Sequence, residues 1–387
     1  MGATPRRAWA RTALLAACGL LCGLLLAEAA SWLVFRRTVA QLAVEDRDLY
    51  YYIDTAGMRH HIPNRTGYQP LWDGKGKAAF RINAHGFRGK DIDLRKPPGV
   101  SRLLFLGDSI TIGWRLREED VFVEHIGRAL GARYEVINAG YADAGLTEED
   151  AVLRAAGMRL RPDLVVLGWY LNDGRPPVGF PEEVVYRNPV IRWIQANPLL
   201  RRSYFVGLFY GALRKSLVEQ AVKVSEHKSN RFRWVKHYVD QKHEWRVKPE
   251  SLAELLRLAK YDFGDGWNAA SRQAMFKRIR AMRDYVRGQG GEFAVVIFPL
   301  HAQVYTEVRE PFVDEPQRDF AAFCRDANIP CLDLLPPLRG RQAEELFQDF
   351  CHYTPRGNAV VAEEILAFLR KRSLLPAGRA SSAPEKP

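Results

Sequence analysis

The stretch RLLFLGDSITIG, residues 102–113, contains the pattern from which the fold of this 387-residue chain can be derived. Its apolar run does not alternate with polar residues, which is typical of a strand covered by helices on both faces. The run ends in Gly107-Asp108-Ser109, a turn that precedes a helix and leaves the Ser109 hydroxyl free to meet a substrate. We predict a buried strand over Arg102–Leu106 that delivers a functional serine.

The same kind of apolar run recurs in Tyr134–Ile137, Leu164–Leu167, Phe293–Phe298 and Cys331–Leu334. Helical periodicity lies between and after these runs, in Glu118–Leu130, Thr147–Met158, Ser271–Arg287, Arg318–Asp326 and Asn358–Arg372. Five short strands separated by helices predict an α/β fold with a doubly wound, mostly parallel, flavodoxin-like sheet. Ligands of such folds bind at the carboxyl ends of the strands.

Residues 174–268 interrupt this rhythm and are too numerous for a plain loop, so they predict a helical insertion or cap. Between Val190 and Glu250 there are 13 Lys/Arg and 5 Asp/Glu, whereas the whole chain carries a net charge of +12. One segment therefore supplies most of the charge, which argues against a nucleic-acid partner. Trp234 and Trp245 lie among these cations. We expect a solvated cap whose apolar face packs on the sheet; the alternative is docking on anionic polysaccharide or phospholipid headgroups.

The composition is 47% hydrophobic and 26% charged, which excludes a disordered chain, a collagen-like repeat and a polytopic membrane protein. Outside the amino-terminal apolar run the cysteines are Cys324, Cys331 and Cys351. Their spacing predicts neither a disulfide framework nor zinc. A Cys324–Cys331 bridge is conceivable, but we expect buried free thiols. The histidines His60 and His61 have no partner spacing and are expected at the surface.

The amino-terminal run Thr12–Phe35 is long enough to cross a bilayer and is flanked by arginines on both sides. We favour an uncleaved anchor, with the rest of the chain extracytoplasmic (periplasmic). A cleaved signal peptide, with a small-residue site at Ala27-Glu28-Ala29, is a second interpretation. A lipoprotein signal at Leu15-Ala16-Ala17-Cys18 is a third, although the apolar run continues far beyond Cys18.

The expected organisation has six parts. They are an anchor (1–37), an extension (38–99), the first part of the catalytic domain (100–173), the insertion (174–268), the second part (269–373) and a disordered tail (374–387).

Three further polar elements follow predicted strands or precede a helix. They are Asn138–Gly145, Tyr170–Gly174 and Asp349–His352. In the last, an Asp three residues before a His can fix the imidazole tautomer and stabilise the imidazolium, so that His352 acts as base for Ser109. All of these elements are expected at one edge of the sheet.

On these motifs the chain resembles the SGNH (GDSL-type) hydrolase family, from about Arg81 to Arg372 apart from the insertion. Residues 81–89, RINAHGFRG, also look like the lead-in of membrane-anchored members. The resemblance implies that Ser109 is the nucleophile and that Asp349 and His352 complete a triad. It also implies an oxyanion hole formed by the Ser109 N–H, the Asn172 amide and a second-block N–H.

Two positions depart from the family pattern. Tyr170 stands where the third block usually has Gly, and Asp143 aligns with the second-block Gly whose N–H donates to the oxyanion. A backbone donor needs no particular side chain, so Asp143 can still serve. Gly140 or a shifted loop is the alternative donor.

Each site residue also has a simpler structural interpretation. Ser109 or His352 could merely cap a helix, and Asn172-Asp173 could form an Asx turn. Cys351 could be taken for a nucleophile, but a buried structural thiol is expected.

The sequence as a whole predicts an extracytoplasmic serine esterase acting on O-acyl, above all O-acetyl, esters of a small molecule or an envelope polysaccharide. An O-acyltransferase with the same triad is the first alternative, and a non-catalytic, membrane-anchored carbohydrate-binding module is the second. No cofactor or metal is implied.

Overall fold

The computed structural model describes residues 5–41, 51–53, 59–142, 144–174, 188–197, 199–200, 203–223, 226–259 and 262–376. The strands in these ranges are β1 (Tyr51–Ile53), β2 (Arg59–His61), β3 (Arg65–Pro70), β4 (Lys77–Ile82), β5 (Ser101–Gly107), β6 (Tyr134–Gly140), β7 (Leu164–Trp169), β8 (Glu292–Ile297) and β9 (Cys331–Asp333). The helices before the insertion are α1 (Pro5–Gln41), α2 (Ser109–Ile112), α3 (Phe122–Leu130) and α4 (Leu146–Val152). Those within it are α5 (Pro189–Ala196), α6 (Tyr204–Lys223), α7 (Glu226–Asp240), α8 (Lys242–Val247) and α9 (Pro249–Leu258). Those after it are α10 (Ala269–Gly288), α11 (His301–Tyr305), α12 (Glu315–Asp326), α13 (Leu335–Arg339) and α14 (Pro355–Lys371).

The central sheet has the order β6-β5-β7-β8-β9, and every pair in it is parallel. Numbered within the sheet this is 2-1-3-4-5, the flavodoxin-like order, whose switch point lies beside the first strand. The predicted doubly wound five-stranded sheet is therefore confirmed, with strand ends shifted by a few residues. In the register Gly107 pairs with Gly140 on one side and Gly168 on the other, so three strand ends meet at one edge.

The strands of the central sheet are largely apolar because helices cover both faces of the sheet. Every residue of β5 and of β7 is buried. Helix α3 packs on β6 and on α14, while α10 packs on β8 and on α4. The helices follow the predicted ranges with two irregularities. The predicted helix Glu118–Leu130 begins with a separate 3₁₀ turn, Glu118–Asp120, and is α-helical only from Phe122. The predicted helix Thr147–Met158 is regular only to Val152 and continues as a π-turn and a 3₁₀ turn.

The extension before the sheet forms the antiparallel hairpin β3–β4. Arg88 joins it to the sheet by bridges to Ile82 and to Asn138 of β6. The expectation that His61 lies at the surface is wrong, because its side chain is 1% exposed. Its ring stacks on Tyr141 at 3.7 Å between centroids, so the extension packs on the loop after β6.

Within the insertion, Trp234 and Trp245 are 1% and 0% exposed, respectively, and belong to the main core. They therefore do not form a docking surface. Both pack in the core, as expected for the apolar face of a cap. The cysteines Cys324, Cys331 and Cys351 are free thiols. Most of the tail 374–387, for which the sequence predicts disorder, lies outside the described residues.

Helix α1 contains one apolar segment, Trp9–Val34, with a mean hydropathy of 2.1. Most of its side chains are exposed, whereas Ser31, at 7% exposed, is buried. By length and composition the segment can cross a membrane. Helix α1 contacts the hairpin strand β3 and helix α6.

Candidate active site

Ser109 is the first residue of α2, directly after the central strand β5. The helix cap is Asp108, whose Oδ1 accepts the Ile110 N–H at 2.8 Å. Ser109 is therefore not needed as a cap, and its own N–H, in the first turn, has no intrahelical acceptor. Gly113 ends α2 with a φ of 79°, a left-handed conformation that favours glycine. The sharp turn leaves the serine at the carboxyl edge of the sheet.

The structure brings together Ser109, His352 and Asp349. Nε2 of His352 lies 2.9 Å from Oγ of Ser109, and Nδ1 lies 2.7 Å from Oδ2 of Asp349. The other carboxylate oxygen of Asp349 accepts the backbone N–H groups of Cys351 and His352 at 2.8 and 2.7 Å. This is a continuous hydrogen-bonded chain from carboxylate to hydroxyl, with the geometry of a nucleophile, its base and an orienting acid.

The Asp349 carboxylate is ionised in this setting. Burial by itself raises its pKa, but the adjacent His352 and the hydrogen bonds from His352 and Cys351 outweigh burial and bring the pKa to about 2. Asp349 therefore stays negative wherever the imidazole titrates. It can fix the tautomer of His352 and stabilise the imidazolium without exchanging a proton.

Cys351 is buried between these residues, with Sγ 3.3 Å from Nδ1 of His352. Ligand atoms of Asp349, Cys351 and His352 lie within 4.8 Å of one another, so the three could in principle share a metal ion. Both imidazole nitrogens, however, already face Ser109 and Asp349, and a metal would have to replace one of these contacts. The arrangement suits proton transfer better than metal binding.

The third-block turn leaves Asn172 available. Oδ2 of Asp173 accepts the Tyr170 N–H at 2.9 Å, and the Asp173 N–H donates back to the Tyr170 carbonyl. Asp173 therefore forms the turn that Asn172 could have formed. Asn172 is 6% exposed, and its Oδ1 has no hydrogen-bond partner among the described residues. It follows β7 at the same edge as Ser109, because Gly107 and Gly168 are in register.

Of the two second-block donors, Asp143 lies outside the described residues. Gly140 does not offer its N–H, because that group donates to Oδ1 of Asn138 at 3.0 Å. A different property requires glycine here: a Cβ on Gly140 would lie 2.3 Å from the backbone N of Ile112. Gly140 thus lets β6 approach the helix that begins at Ser109, and the expectation of it as an oxyanion donor is wrong.

Tyr170, the departure in the third block, is 2% exposed, and its hydroxyl makes no hydrogen bond to any described residue. Burial, together with the nearby Cys351, Asp108, Tyr353 and Asp349, raises its pKa well above the ordinary value. The phenol is therefore neutral and lies among the groups that surround the triad.

Sequence reasoning missed the support beneath the nucleophile turn. The guanidinium of Arg88, which is 3% exposed, donates to the carbonyls of Ile112, Gly113 and Leu116 at 2.5, 2.7 and 2.8 Å. These carbonyls lie at and beyond the end of α2, where a helix lacks its own donors. Arg88 lies in the RINAHGFRG stretch, which the sequence analysis singles out. The carbonyls to which it donates lie 24 to 28 residues further along the chain, and the sequence pattern does not identify them.

The insertion supports the opposite side of the triad. Trp234 of α7 contacts Phe350 edge-on at 4.7 Å between ring centroids. The hydroxyl of Tyr238, one turn further along α7, lies 3.0 Å from Nδ1 of His301. Burial, together with Lys242 and Arg246, lowers the pKa of His301 to about 3, so this histidine is neutral. The insertion thus packs against the loop that carries Asp349 and His352, through Trp234 and Phe350.

No protein-family model matches the chain. It is similar to the probable alginate O-acetylase AlgJ of Pseudomonas putida, with 31% identity over 104 residues. The match covers 25% of this chain and 27% of that protein, so the chain spans about a quarter of the curated relative.

Solved structures also resemble it. An acetyl xylan esterase, AlAXEase, matches with a TM-score of 0.39 and 13% identity, covering 69% of this chain and 98% of its own. A lipase/acylhydrolase from Enterococcus faecalis matches with a TM-score of 0.40 and 14% identity, covering 73% of this chain and 100% of its own. A two-domain esterase active on acetylated mannans matches with a TM-score of 0.38 and 14% identity, covering 74% of this chain and 53% of its own.

Proposed function

We propose that this chain is an extracytoplasmic, membrane-anchored serine enzyme of the SGNH type that cleaves or transfers an O-acyl group through an acyl-enzyme on Ser109. The observation that carries the proposal is the unbroken hydrogen-bonded chain from Asp349 through His352 to Ser109. Its members come from two ends of the fold, 243 residues apart, and meet at the edge where ligands of such sheets bind. A non-catalytic module has no need of this arrangement.

The reaction follows from the contacts. His352 Nε2 accepts the proton of Ser109 as Oγ attacks the ester carbonyl, and a tetrahedral oxyanion forms. We assign its stabilisation to the Ser109 N–H, the Asn172 amide and a second-block N–H. The oxyanion collapses, the alkoxide leaves with the proton from His352, and an acyl-Ser109 ester remains. Water attacks this ester with His352 again as base, which releases the acid and restores the serine.

Acyl transfer is the second candidate, because the triad is the same and only the final acceptor differs. The sequence match to an alginate O-acetylase favours it. In that case a sugar hydroxyl replaces water in the second half-reaction. We favour hydrolysis of O-acetyl esters, with an envelope polysaccharide as the substrate class.

The extracytoplasmic location rests on α1. Its Trp9–Val34 segment can cross a bilayer. Three arginines precede the apolar run Thr12–Phe35 and two follow it directly, a small excess that favours a cytoplasmic amino terminus. The catalytic domain then lies on the far side, where an envelope glycan is accessible.

The test is active-site labelling followed by turnover. A fluorophosphonate probe should label the wild type and a Ser271→Ala control, but not Ser109→Ala. Purified protein should then release acetate from acetylated sugars; acetyl groups that reach an added glycan instead would identify a transferase. Labelling of Ser109→Ala at the wild-type rate would refute the proposal.

A further inference from the structure

One carboxylate lies within the apolar segment of α1, and it is the cap of another helix. Glu28 accepts hydrogen bonds from the Ser203 hydroxyl at 2.5 Å and from the backbone N–H groups of Tyr204 and Phe205 at 2.8 and 3.1 Å. The last two are orphan donors at the start of α6, where the helix dipole also favours a negative charge. Glu28 therefore fixes the amino terminus of α6 against α1.

This contact sets the depth of α6 relative to a bilayer. The apolar segment Trp9–Val34 has 26 residues and is about 39 Å long, which exceeds a hydrocarbon core of roughly 30 Å by a few ångströms at each end. Glu28 lies six residues, or about 9 Å, before Val34. The carboxylate and the first turn of α6 are thus expected just inside the outer boundary of the hydrocarbon core.

The side chains that α6 exposes suit this depth. Phe205, Leu208 and Phe209 are 44%, 40% and 60% exposed and, at spacings of three and four, share one face. The neighbouring Trp193 and Leu199 are 63% and 81% exposed.

The opposite side of this unit is packed. Ile191 and Ile194 of α5 form a small core with Tyr210 of α6, so α5 and α6 stay together with their other apolar side chains outward. The exposed face is therefore fixed by packing.

From these contacts we infer that α5 and the first half of α6 form a second membrane element, which lies in the outer interface beside α1 with Phe205, Leu208 and Phe209 in the lipid. The inference rests on the proposed crossing of the bilayer by α1. Lipid is the favoured occupant because the apolar face is continuous with a helix already proposed to lie in lipid. The exposed Arg192 and a tryptophan also flank this face, as is typical of headgroup contacts. Beyond Leu213 the helix turns polar, which suits its exit from the interface.

The consequence is that the catalytic domain is fixed at the membrane by two elements and does not swing on a flexible tether. Helix α6 contacts α7, the helix that holds the triad loop through Trp234 and Phe350. The proposed site would then face its glycan at a set height.

Fluorescence quenching in lipid nanodiscs tests the depth with the full chain. Cys18, Cys22 and Cys331 are replaced by serine, and one cysteine labelled with an NBD fluorophore is introduced at a time. The three sites have matched exposure in the protein: Phe209 at 60%, Val239 at 61% and Leu25 at 61%. Val239→Cys is the solvent control and Leu25→Cys the lipid control.

Labels at Phe209 and Leu25 should lose most of their emission to lipids with nitroxide acyl chains and resist aqueous iodide, whereas the label at Val239 should do the reverse. If Phe209 behaves like Val239 while Leu25 is quenched by lipid, the inference is wrong although the anchor stands. Shielding of Phe209 from both quenchers would mean that protein covers this face, which also overturns it. If all three labels report water, the anchor fails as well. Fluorophosphonate labelling of the same samples reports the proposed activity separately.

Discussion

Nε2 of His352 lies 2.9 Å from Oγ of Ser109, across 243 residues of chain. Because the base must take the proton from the nucleophile, Ser109→Ala and His352→Ala should each lower kcat by roughly 10⁶. The double variant should be no worse than either single one, since the two act as a unit. Asp349→Asn should be milder, on the order of 10⁴, because the carboxylate only orients and stabilises. Steady-state kinetics of the four variants check this, and an active His352→Ala enzyme would eliminate the triad.

The pH dependence should show a single acid limb. Only neutral His352 can accept the Ser109 proton, so kcat/KM should rise with pH as the imidazole loses its proton. Asp349, with a pKa of about 2, stays ionised from pH 4 to 9 and adds no second limb. In Asp349→Asn the limb should move to lower pH, because the imidazolium loses its stabilising carboxylate. A limb that does not move would mean that Asp349 does not act on His352.

Asn172→Ala should lower the rate of acyl-enzyme formation by roughly 10²–10³, the usual effect of removing one oxyanion donor. Its melting temperature should hardly change, because Oδ1 of Asn172 makes no hydrogen bond to any described residue. The neighbouring Asp173→Ala should instead lower the melting temperature, since the Tyr170 N–H loses its acceptor. Burst kinetics and thermal unfolding separate the two roles. A rate for Asn172→Ala within a few-fold of wild type would exclude it from the oxyanion hole.

Gly140→Ala should damage the site without touching the triad. The new Cβ would lie 2.3 Å from the Ile112 backbone N, so α2 must shift and Ser109 with it. Gly127→Ala is the matched control: its Cβ would lie 3.6 Å from Val136, an ordinary contact, and alanine in helix α3 should stabilise by about 1 kcal/mol. Fluorophosphonate labelling rates and unfolding curves measure both. Equal labelling of the two variants would mean that β6 does not position the nucleophile.

Arg88→Lys should lower stability by roughly 1–3 kcal/mol and slow labelling of Ser109. A lysine cannot reach the Ile112, Gly113 and Leu116 carbonyls together. The last two also accept the Gln69 amide, but the buried Ile112 carbonyl depends on Arg88 and is costly to leave unpaired. Arg128→Lys is the control, because Arg128 donates to a backbone carbonyl from an exposed position. Its effect should stay within about 0.5 kcal/mol. Denaturant unfolding gives both values, and similar losses for the two variants would count against the role of Arg88.

The sequence alone determined the five strands of the central sheet and the longer helices that flank them. Apolar runs without alternation identified the five parallel strands, because a strand covered on both faces has no polar positions. It also paired Asp349 with His352, since their spacing of three residues is local. Ser109 joined them because polar residues at the carboxyl ends of parallel strands converge at one edge.

Only the tertiary structure decided which polar groups of the site are used in structural hydrogen bonds and which are left for a substrate. Hydrogen-bond competition is not visible in a linear pattern: the Gly140 N–H is taken by Asn138, and the turn after β7 uses Asp173 and leaves Asn172. Burial of His61 and Trp234 depends equally on elements far away in the chain. The capping of α6 by Glu28 joins residues about 175 positions apart. Local periodicity reports the element to which a residue belongs, whereas its partner is fixed only when those elements pack.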